Sequence, residues 1–302
     1  MKKVKLIAFL LIVGLALPAC FPGGGVITVS PPTPVPPQAT VAATATTPPT
    51  QTQPAAPTAA LPPAPPAASA TPLASPTTAG QAPPEAIAIL QPGPGSRVTS
   101  PLRISGMAAP TFEQSLAITI LLADGTTLAT GFTQIGADVG QRGPYTADVS
   151  FSVSAEQPGF IQVFAISAKD GGVTHLASVG VTLAPGGSAN ILPALEGPEQ
   201  IQINQPASAA TLSGGVVHVE GFGLASFEQT LVIDVLDEAG SILASVPVTV
   251  AAPDLGQPGP FSADIPYTLS SASTAGRVQV RDTSPAHGGN SHLSSVEVTL
   301  NP

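Results

Sequence analysis

The stretch FEQSLAITI, residues 112–120, returns about 115 residues later as FEQTLVIDV, residues 227–235. After the shared FEQ, aliphatic residues recur at every second position, and Thr119 and Asp234 lie between them. Side chains of a strand alternate between its two faces, so this pattern predicts a strand with one buried face. The predicted buried residues are Leu116, Ile118 and Ile120 in the first stretch and Leu231, Ile233 and Val235 in the second.

The repeat extends over about 100 residues in each copy. Further matching segments are 87–92 with 201–206, 138–145 with 254–261, and 175–176 with 292–293. A self-match of this length indicates the duplication of a complete domain. We expect one domain over residues 85–185 and a second over residues 198–302, each able to fold alone.

Short apolar runs separated by Gly, Pro, Asn and Asp fill both copies, and charged residues make up only 9% of the chain. Amphipathic helical stretches are missing, which favours an all-β fold. About seven short strands per 100 residues predict an immunoglobulin-like β-sandwich, with a small barrel as the structural alternative. We expect Phe112 and Phe227 to fill the core, while Glu113 and Glu228 bond nearby backbone amides.

The strand FIQVFA, residues 160–165, aligns with RVQVRD in the second copy. The shared alternation places Ile161 and Val163 in the core. Phe160 and Phe164 then share the outer face, where the second copy carries arginines. We predict that these two rings form an apolar contact patch, used against the second domain or against another protein. A covering loop of the same domain is the alternative.

Residues 1–19 have a basic start and an apolar run, which is the layout of a secretory signal peptide. The run ends in LPAC, residues 17–20, which resembles the bacterial lipobox. The resemblance implies cleavage before Cys20 and a lipid on that cysteine; an ordinary signal peptide with a chance cysteine is the alternative. Lipidation at Cys20 predicts an extracytoplasmic protein, anchored to the bacterial cell membrane without spanning it.

Residues 20–84 are predicted to form a lipid-anchored spacer. From Pro31 to Pro84 the chain is almost entirely Pro, Ala, Thr, Ser and Gln. Such a composition cannot bury enough apolar surface to offset the entropy of ordering, so we predict a disordered stalk. It either lifts the domains away from an envelope layer or serves as a neutral linker, and its hydroxyl groups can accept O-linked sugars.

The formal charge of the chain is −9. Removal of the signal peptide with its three lysines leaves 6 basic and 18 acidic residues, a charge of −12. Affinity for a phosphate backbone comes from Lys and Arg, so nucleic acid is excluded as a partner. Cys20 is the only cysteine, which excludes an intrachain disulfide and a cysteine-based zinc site.

No motif for catalysis or metal binding is present in the sequence. The four histidines form no His-x-x-x-His pattern, and there is no Gly-x-Ser-x-Gly elbow or phosphate-binding loop. His175 and His292 are equivalent, which favours a shared structural hydrogen bond over catalysis. The aspartates around the Gly-Gln-x-Gly-Pro loops are too widely spaced for a calcium site: Asp138, Asp148, Asp254 and Asp264. We therefore expect no enzyme, no cofactor and no bound metal.

Several short motifs of the first copy resemble one known family. They are PGPGSRVTSP at residues 92–101, Gly106, Phe112-Glu113, Asp124-Gly125, and Ser167 followed by Asp170-Gly171. Together they resemble Gmad2, the immunoglobulin-like domain of bacterial spore germination proteins. The second copy is similar, with Ala207 and Ala209 in place of two glycines and His287-Gly288 in place of Asp170-Gly171. The resemblance implies an extracellular immunoglobulin-like fold and a link to sporulation or germination.

Two functional hypotheses follow. The first is a non-catalytic module for protein interaction or scaffolding, whose partner is another envelope protein. The second is a module that binds glycan or peptidoglycan, with a polysaccharide as the partner. Sugar-binding sites usually offer Trp or Tyr for stacking, and this chain has no Trp and two Tyr. The sequence therefore favours the protein-interaction hypothesis.

Overall fold

A computed structural model describes residues 82–225, 227–269, 273–286 and 288–302. These residues are almost entirely strands and turns, as the sequence predicts, and their one helical segment is the 3-10 turn Phe112–Gln114. The predicted signal peptide, Cys20 and nearly all of the spacer lie outside the described residues, as does His287. Among the described residues, no helix is both long and apolar enough to cross a membrane.

The first domain is a sandwich of two sheets. The strands that its described residues form are β1 (Ile87–Gln91), β2 (Arg97–Val98), β3 (Leu102–Ala108), β4 (Ser115–Leu122), β5 (Thr127–Gln134), β6 (Gly143–Val149), β7 (Gln157–Ile166) and β8 (Val173–Leu183). One sheet has the order β1-β3-β6, and the other has the order β5-β4-β7-β8 with β2 parallel beside β8. This is the two-sheet architecture of an immunoglobulin-like domain and not that of a closed barrel.

The second domain repeats this arrangement. The strands within its described residues are β9 (Ile201–Gln205), β10 (Ala210–Leu212), β11 (Val216–Gly223), β12 (Thr230–Asp237), β13 (Ile242–Thr249), β14 (Gly259–Pro266), β15 (Thr274–Thr283) and β16 (Asn290–Leu300). Its sheets have the orders β14-β11-β9 and β13-β12-β15-β16, with β10 parallel beside β16. The duplication in sequence is therefore a duplication in structure.

An aliphatic core fills the space between the two sheets of each domain. All six residues that the alternation places on buried faces of β4 and β12 are no more than 1% exposed. Ile161 and Val163 are fully buried as well, so the predicted register of β7 is correct. Each sheet buries one face against its partner, and this explains why strict alternation decides the fold.

Gly106 and Gly221 occupy the same position in the two copies, on β3 and β11. A Cβ atom at Gly106 would collide first with the Ala88 carbonyl and then with the side chain of Tyr145, and one at Gly221 would collide with the Gln202 carbonyl and the ring of Phe261. The aromatic ring of the neighbouring strand passes directly over the backbone here. Glycine is required at this point because only glycine leaves room for both the neighbouring carbonyl and the ring.

The FEQ turn before β4 differs from the sequence-based prediction. Phe112 and Phe227 are 60% and 49% exposed, so the expectation that they fill the core is wrong. The buried residue is Gln114, whose Nε2 donates to three backbone carbonyls of the loop at 137–141, at distances of 2.9 to 3.4 Å. The glutamine, and not the preceding glutamate, thus anchors the turn.

The same turn has an unusual backbone in both copies. Glu113 and Gln114 have φ values of 53° and 55°, and Glu228 and Gln229 have φ values of 49° and 53°. This left-handed conformation costs residues other than glycine about 1–2 kcal/mol each. Hydrogen bonds of the glutamine side chain offset that cost: Gln229 Nε2 donates to the Asp254 carbonyl at 3.0 Å, as Gln114 does in the first copy.

The larger sheets of the two domains are joined edge to edge. The last strands, β8 and β16, pair antiparallel and make a continuous sheet of ten strands among the described residues. The residue pairs of this joint are His175 with Ser294, Leu176 with Leu293, and Ala177 with His292. The sequence predicts two tandem domains but does not predict the pairing of these two strands.

Candidate interaction surface

A buried ion pair closes the joint on the outer face of the ten-stranded sheet. Arg277 on β15 and Asp170 in the loop after β7 have side chains only 3% and 10% exposed. Arg277 Nη2 donates to both carboxylate oxygens of Asp170, at 2.5 and 2.8 Å, and Nη1 donates to Ser295 Oγ at 2.7 Å. Burial alone would raise the pKa of Asp170, but its hydrogen bonds, chiefly those from Arg277, lower it. Arg277 Nη2 also lies 3.4 Å from Glu297 Oε1 of its own domain, so Asp170 is the closer of its two carboxylate partners and the one supplied by the other domain.

Four titratable side chains lie on the inner face of the joint. His292 Nε2 lies 3.3 Å from Glu199 Oε1 and 3.6 Å from Glu85 Oε1, while His175 Nε2 lies 3.4 Å from Ser294 Oγ. Each of the two equivalent histidines lies within hydrogen-bond distance of a partner, but the partners differ, so the predicted hydrogen bond is not a shared one. His175 on β8 and His292 on β16 both lie on the inner face of the joint, where they contribute to domain docking.

The segments that lead into the two domains run alongside this cluster and pair with each other. Glu85 N–H donates to the Gly197 carbonyl at 3.1 Å, and Glu199 N–H donates to the Pro83 carbonyl at 2.7 Å. Arg142 Nη1 also donates to the Glu85 carbonyl at 2.8 Å. These bonds bring two carboxyl groups into the space beneath the paired strands.

Burial changes the proton affinity of the inner cluster. It raises the pKa of Glu85 to about 7, and Glu85 Oε1 has no hydrogen-bond partner among the described residues. Burial would also raise the pKa of Glu199, but the hydrogen bond and charge of His292 outweigh it and lower that pKa. Burial lowers the pKa of His175. The docked state thus favours a neutral Glu85 and a neutral His175 beside an ionised Glu199.

The outer face of the first domain carries the two predicted contact residues. Phe160 and Phe164 are half-buried there, on either side of Gln162. Gln162 Nε2 donates to the Asn290 carbonyl of the second domain at 2.7 Å. The structure therefore brings the second domain against this face between the two rings. The role of the rings in contacting another protein stays a prediction.

A single row of cross-strand neighbours on this face crosses the whole sheet. From edge to edge it consists of Phe132, Ala117, Phe164, Leu176, Leu293, Arg281, Val232 and Pro247. The half that belongs to the first domain is entirely apolar, and Phe132 at its end is 78% exposed. Phe164 in the row is half-buried, while Ala117 and Leu176 are only 6% exposed, so Phe132 is the exposed end of an otherwise covered apolar row. An exposed ring that continues an apolar face is a candidate contact residue.

The two edges of the sheet differ at equivalent positions, Phe132 on β5 and Pro247 on β13. Ile135 N–H donates to the Gln114 carbonyl at 2.7 Å, and the direction of N–H groups alternates along an antiparallel strand. The N–H of Phe132 therefore points away from β4, towards the open edge. Pro247 has no N–H to offer at the matching point, and proline at an edge prevents the addition of a further strand. The β5 edge is the unprotected one.

A cleft of about 600 Å³ lies between the two domains. It combines apolar side chains, among them Phe112 and Ile166, with the polar side chains of Lys169, Ser208 and Glu297. The exposed ring of Phe112 is thus part of a concave surface that exists only while the domains are docked.

Three of the four aspartates considered for metal binding take part in hydrogen bonds. Among the residues that the structure describes, no group of three or more His, Cys, Asp or Glu side chains could hold a metal ion. Asp138 and Asp254 offer their backbone carbonyls to the anchoring glutamines. Asp264 Oδ1 lies 2.6 Å from His218 Nδ1 on the surface.

Sequence reasoning missed the groups that build the joint. One signal was available for the ion pair, because Arg277 replaces Phe160 where His287 replaces Asp170. These two differences between the copies occur together, and each concerns one half of the pair. Glu85 and Glu199 gave no comparable signal, since each precedes the first strand of its domain in an irregular segment.

Solved structures show only distant similarity to this chain. Among solved structures, dimeric latent PorU from Porphyromonas gingivalis aligns with 72% of this chain at 9% identity and a TM-score of 0.21; this chain spans 24% of that protein. The titin domains z1z2 in complex with telethonin align with 72% of this chain and 96% of their own, at 14% identity and a TM-score of 0.17. The E. coli adhesin CfaE aligns with 72% of this chain and 83% of its own, at 11% identity and a TM-score of 0.17. No curated protein matches the chain.

One family model matches both copies of the domain. It describes Gmad2, the immunoglobulin-like domain of bacterial spore germination, and it covers residues 86–172 and 200–289. The matched residues are more than half of the chain and correspond to the two sandwiches. The chain therefore belongs to the Gmad2 family and carries two tandem copies of its immunoglobulin-like domain.

Proposed function

We propose that this protein is a non-catalytic binding module of the bacterial cell envelope. A lipid at Cys20 tethers it to the membrane, and the proline-rich spacer presents the two joined domains to a protein partner. The position of Cys20 at the end of an apolar run supports the tether. The family supports an immunoglobulin-like binding module.

The observation that carries the proposal is the aromatic face of the first domain. Phe132 is 78% exposed at the end of an apolar row that includes Phe164. A soluble domain gains nothing in stability from an exposed ring, whereas aromatic residues supply much of the energy of protein interfaces. The unprotected β5 edge beside it offers the Phe132 N–H to the same partner. Ring and edge together make one contact surface.

The joined sheets make that surface part of a rigid platform. A partner that binds at Phe132 binds a unit of two domains. Strand pairing and the buried ion pair of Asp170 with Arg277 hold the two domains together. A rigid binder loses less conformational entropy on binding than a flexible pair of domains. This suits a scaffold role in an envelope or sporulation assembly.

Capture of a partner by the full chain from envelope extracts tests the proposal. Phe132→Ser should abolish the capture of any specific partner, because it removes the exposed ring and leaves the backbone unchanged. Phe112→Ser is the matched control, since it removes another exposed ring at a different site. Equal capture by wild type and Phe132→Ser would contradict the proposed surface.

The membrane tether has a separate test. A clickable fatty acid supplied to cells should label the wild type and leave Cys20→Ser unlabelled, and fractionation should move the variant out of the membrane pellet. Equal labelling of the two proteins would contradict the lipid anchor while leaving the binding surface untouched.

Glycan binding is the second candidate function, and the cleft between the domains is the observation that favours it. An exposed ring beside hydroxyl and charged groups is the kind of surface on which a sugar stacks and hydrogen-bonds. Phe112→Ser should then reduce pelleting with purified peptidoglycan, and Phe132→Ser should not. The two variants therefore distinguish the two functions.

A further inference from the structure

The joint between the two domains has the geometry of a two-fold symmetric contact. Leu176 and Leu293 are equivalent residues of the two copies, and they lie directly opposite each other in β8 and β16. The two flanking pairs are also related by this symmetry. His175 faces Ser294, and its equivalent His292 faces Ala177, which is equivalent to Ser294. Each last strand is therefore a docking edge for the last strand of another domain of the same kind.

The loops beside the joint make reciprocal contacts, each with the other domain. Asp170, in the loop after β7, reaches Arg277 of the second domain. Asn290, which follows the corresponding loop of the second domain, accepts a hydrogen bond from Gln162 of the first. Each domain thus contacts the outer face of the other one.

One pair of residues breaks this symmetry. The residue of the first copy that corresponds to Arg277 is Phe160, and the residue of the second copy that corresponds to Asp170 is His287. Docking of two first domains would bury Asp170 against a phenylalanine. Docking of two second domains would leave Arg277 without an aspartate, because position 287 of that copy is a histidine. The first arrangement leaves Asp170 without Arg277, and the second leaves Arg277 only the more distant Glu297 of its own domain, at 3.4 Å. The loss of one partner of a buried ion pair is strongly destabilising.

We propose that the joint is an interface that can be exchanged between two copies of this chain, in which the pair of Asp170 and Arg277 admits only unlike domains. The first domain of one chain docks with the second domain of another through β8 and β16. Residues 195–197 connect Ala194, whose N–H donates to the Leu90 carbonyl, to the segment that pairs with residues 83–85. Exchange requires this stretch to extend and to release the ion pair of Glu196 with Arg142. Leu195 within it is 95% exposed.

Charge reversal in the full chain, with Cys20→Ser to keep it soluble, tests this proposal. Asp170→Arg and Arg277→Asp each place like charges in the joint of a single chain, and also in a dimer of identical chains. When the two variants are mixed, an exchanged dimer satisfies both joints: one holds the wild-type pair and the other holds the reversed pair.

Sedimentation should therefore show a dimer in the mixture at a concentration at least about tenfold lower than in either variant alone. The double variant Asp170→Arg/Arg277→Asp should be a monomer like the wild type, because its own joint is restored. A mixture that stays monomeric, or single variants that dimerise equally well, would overturn the proposal.

If reversal of the buried arginine unfolds the second domain, a cysteine test leaves the ion pair intact. Chains with Leu176→Cys and chains with Leu293→Cys, both carrying Cys20→Ser, are mixed, warmed to allow exchange, and oxidised. Directly opposite residues of an antiparallel pair lie within the range for a disulfide. The mixed 176–293 disulfide should exceed either like disulfide by at least about tenfold. Equal yields of like and mixed products would overturn the selection of unlike domains.

Discussion

Leu176 and Leu293 lie directly opposite each other where the last strands of the two domains pair. Both are almost fully buried although they face the outer side of the sheet. The two domains therefore behave as parts of one sheet, and the charged groups on either side of the leucines determine how firmly the parts are held.

Asp170→Ala should destabilise the joint by about 2–3 kcal/mol, because it leaves Arg277 buried without its main partner. Urea unfolding monitored by circular dichroism measures this. Glu156→Ala is the control, since it removes the exposed ion pair with Arg97, which contributes no more than about 1 kcal/mol. Equal losses in the two variants would contradict the role of the buried pair.

Glu85 should make stability depend on pH. Its pKa in the folded protein, about 7, is above the ordinary value of 4.5. The folded state therefore binds the proton more tightly, and stability falls as pH rises from about 4.5 to about 7. Glu85→Gln removes this penalty, so it should stabilise the protein by about 2 kcal/mol at pH 8 and have little effect near pH 4. Melting temperatures of the two proteins across this range measure the difference; a constant difference would contradict the account.

Gln114→Ala should destabilise the first domain by about 2–3 kcal/mol, because it removes the side-chain hydrogen bonds that hold a left-handed turn. Gln229→Ala is the matched variant in the second domain. Its side chain has one such bond, so its cost should be about 1 kcal/mol. Thermal melts compare them, and a larger loss for Gln229→Ala would show that the hydrogen bonds do not set the cost.

The core could be predicted from the sequence because alternation is a local property. The alternation of apolar and polar residues around Leu116 and Ile161 is enough to predict that both side chains lie on the buried face of their strands. Phe112 could not be placed in this way, since its exposure depends on Gln114 reaching a loop more than 20 residues away. The joint depends on contacts between residues more than 100 positions apart, and no local pattern encodes them.

Phe160→Arg/Phe164→Arg should leave the first domain folded, with a melting temperature a few degrees lower. The rings are half-buried on the outer face, and the second domain accommodates arginines at the same positions. The first domain has no carboxylate in place of Asp234, so the new charges stay unpaired and should weaken capture of a protein partner. Calorimetry and capture assays measure both effects. A collapse of the fold would show that the rings belong to the core.

The rigidity of the joined sheet is the central claim, and one distance tests it most directly. Residues 132 and 247 lie at opposite ends of the same cross-strand row. Eight strands separated by about 4.8 Å give a span of roughly 34 Å between their backbones, or slightly less in a twisted sheet. Spin labels at Phe132→Cys and Pro247→Cys, with Cys20→Ser, should give one narrow distance distribution near about 34 Å by double electron–electron resonance. A broad distribution, or one centred far from this value, would show that the domains move independently and would contradict the account.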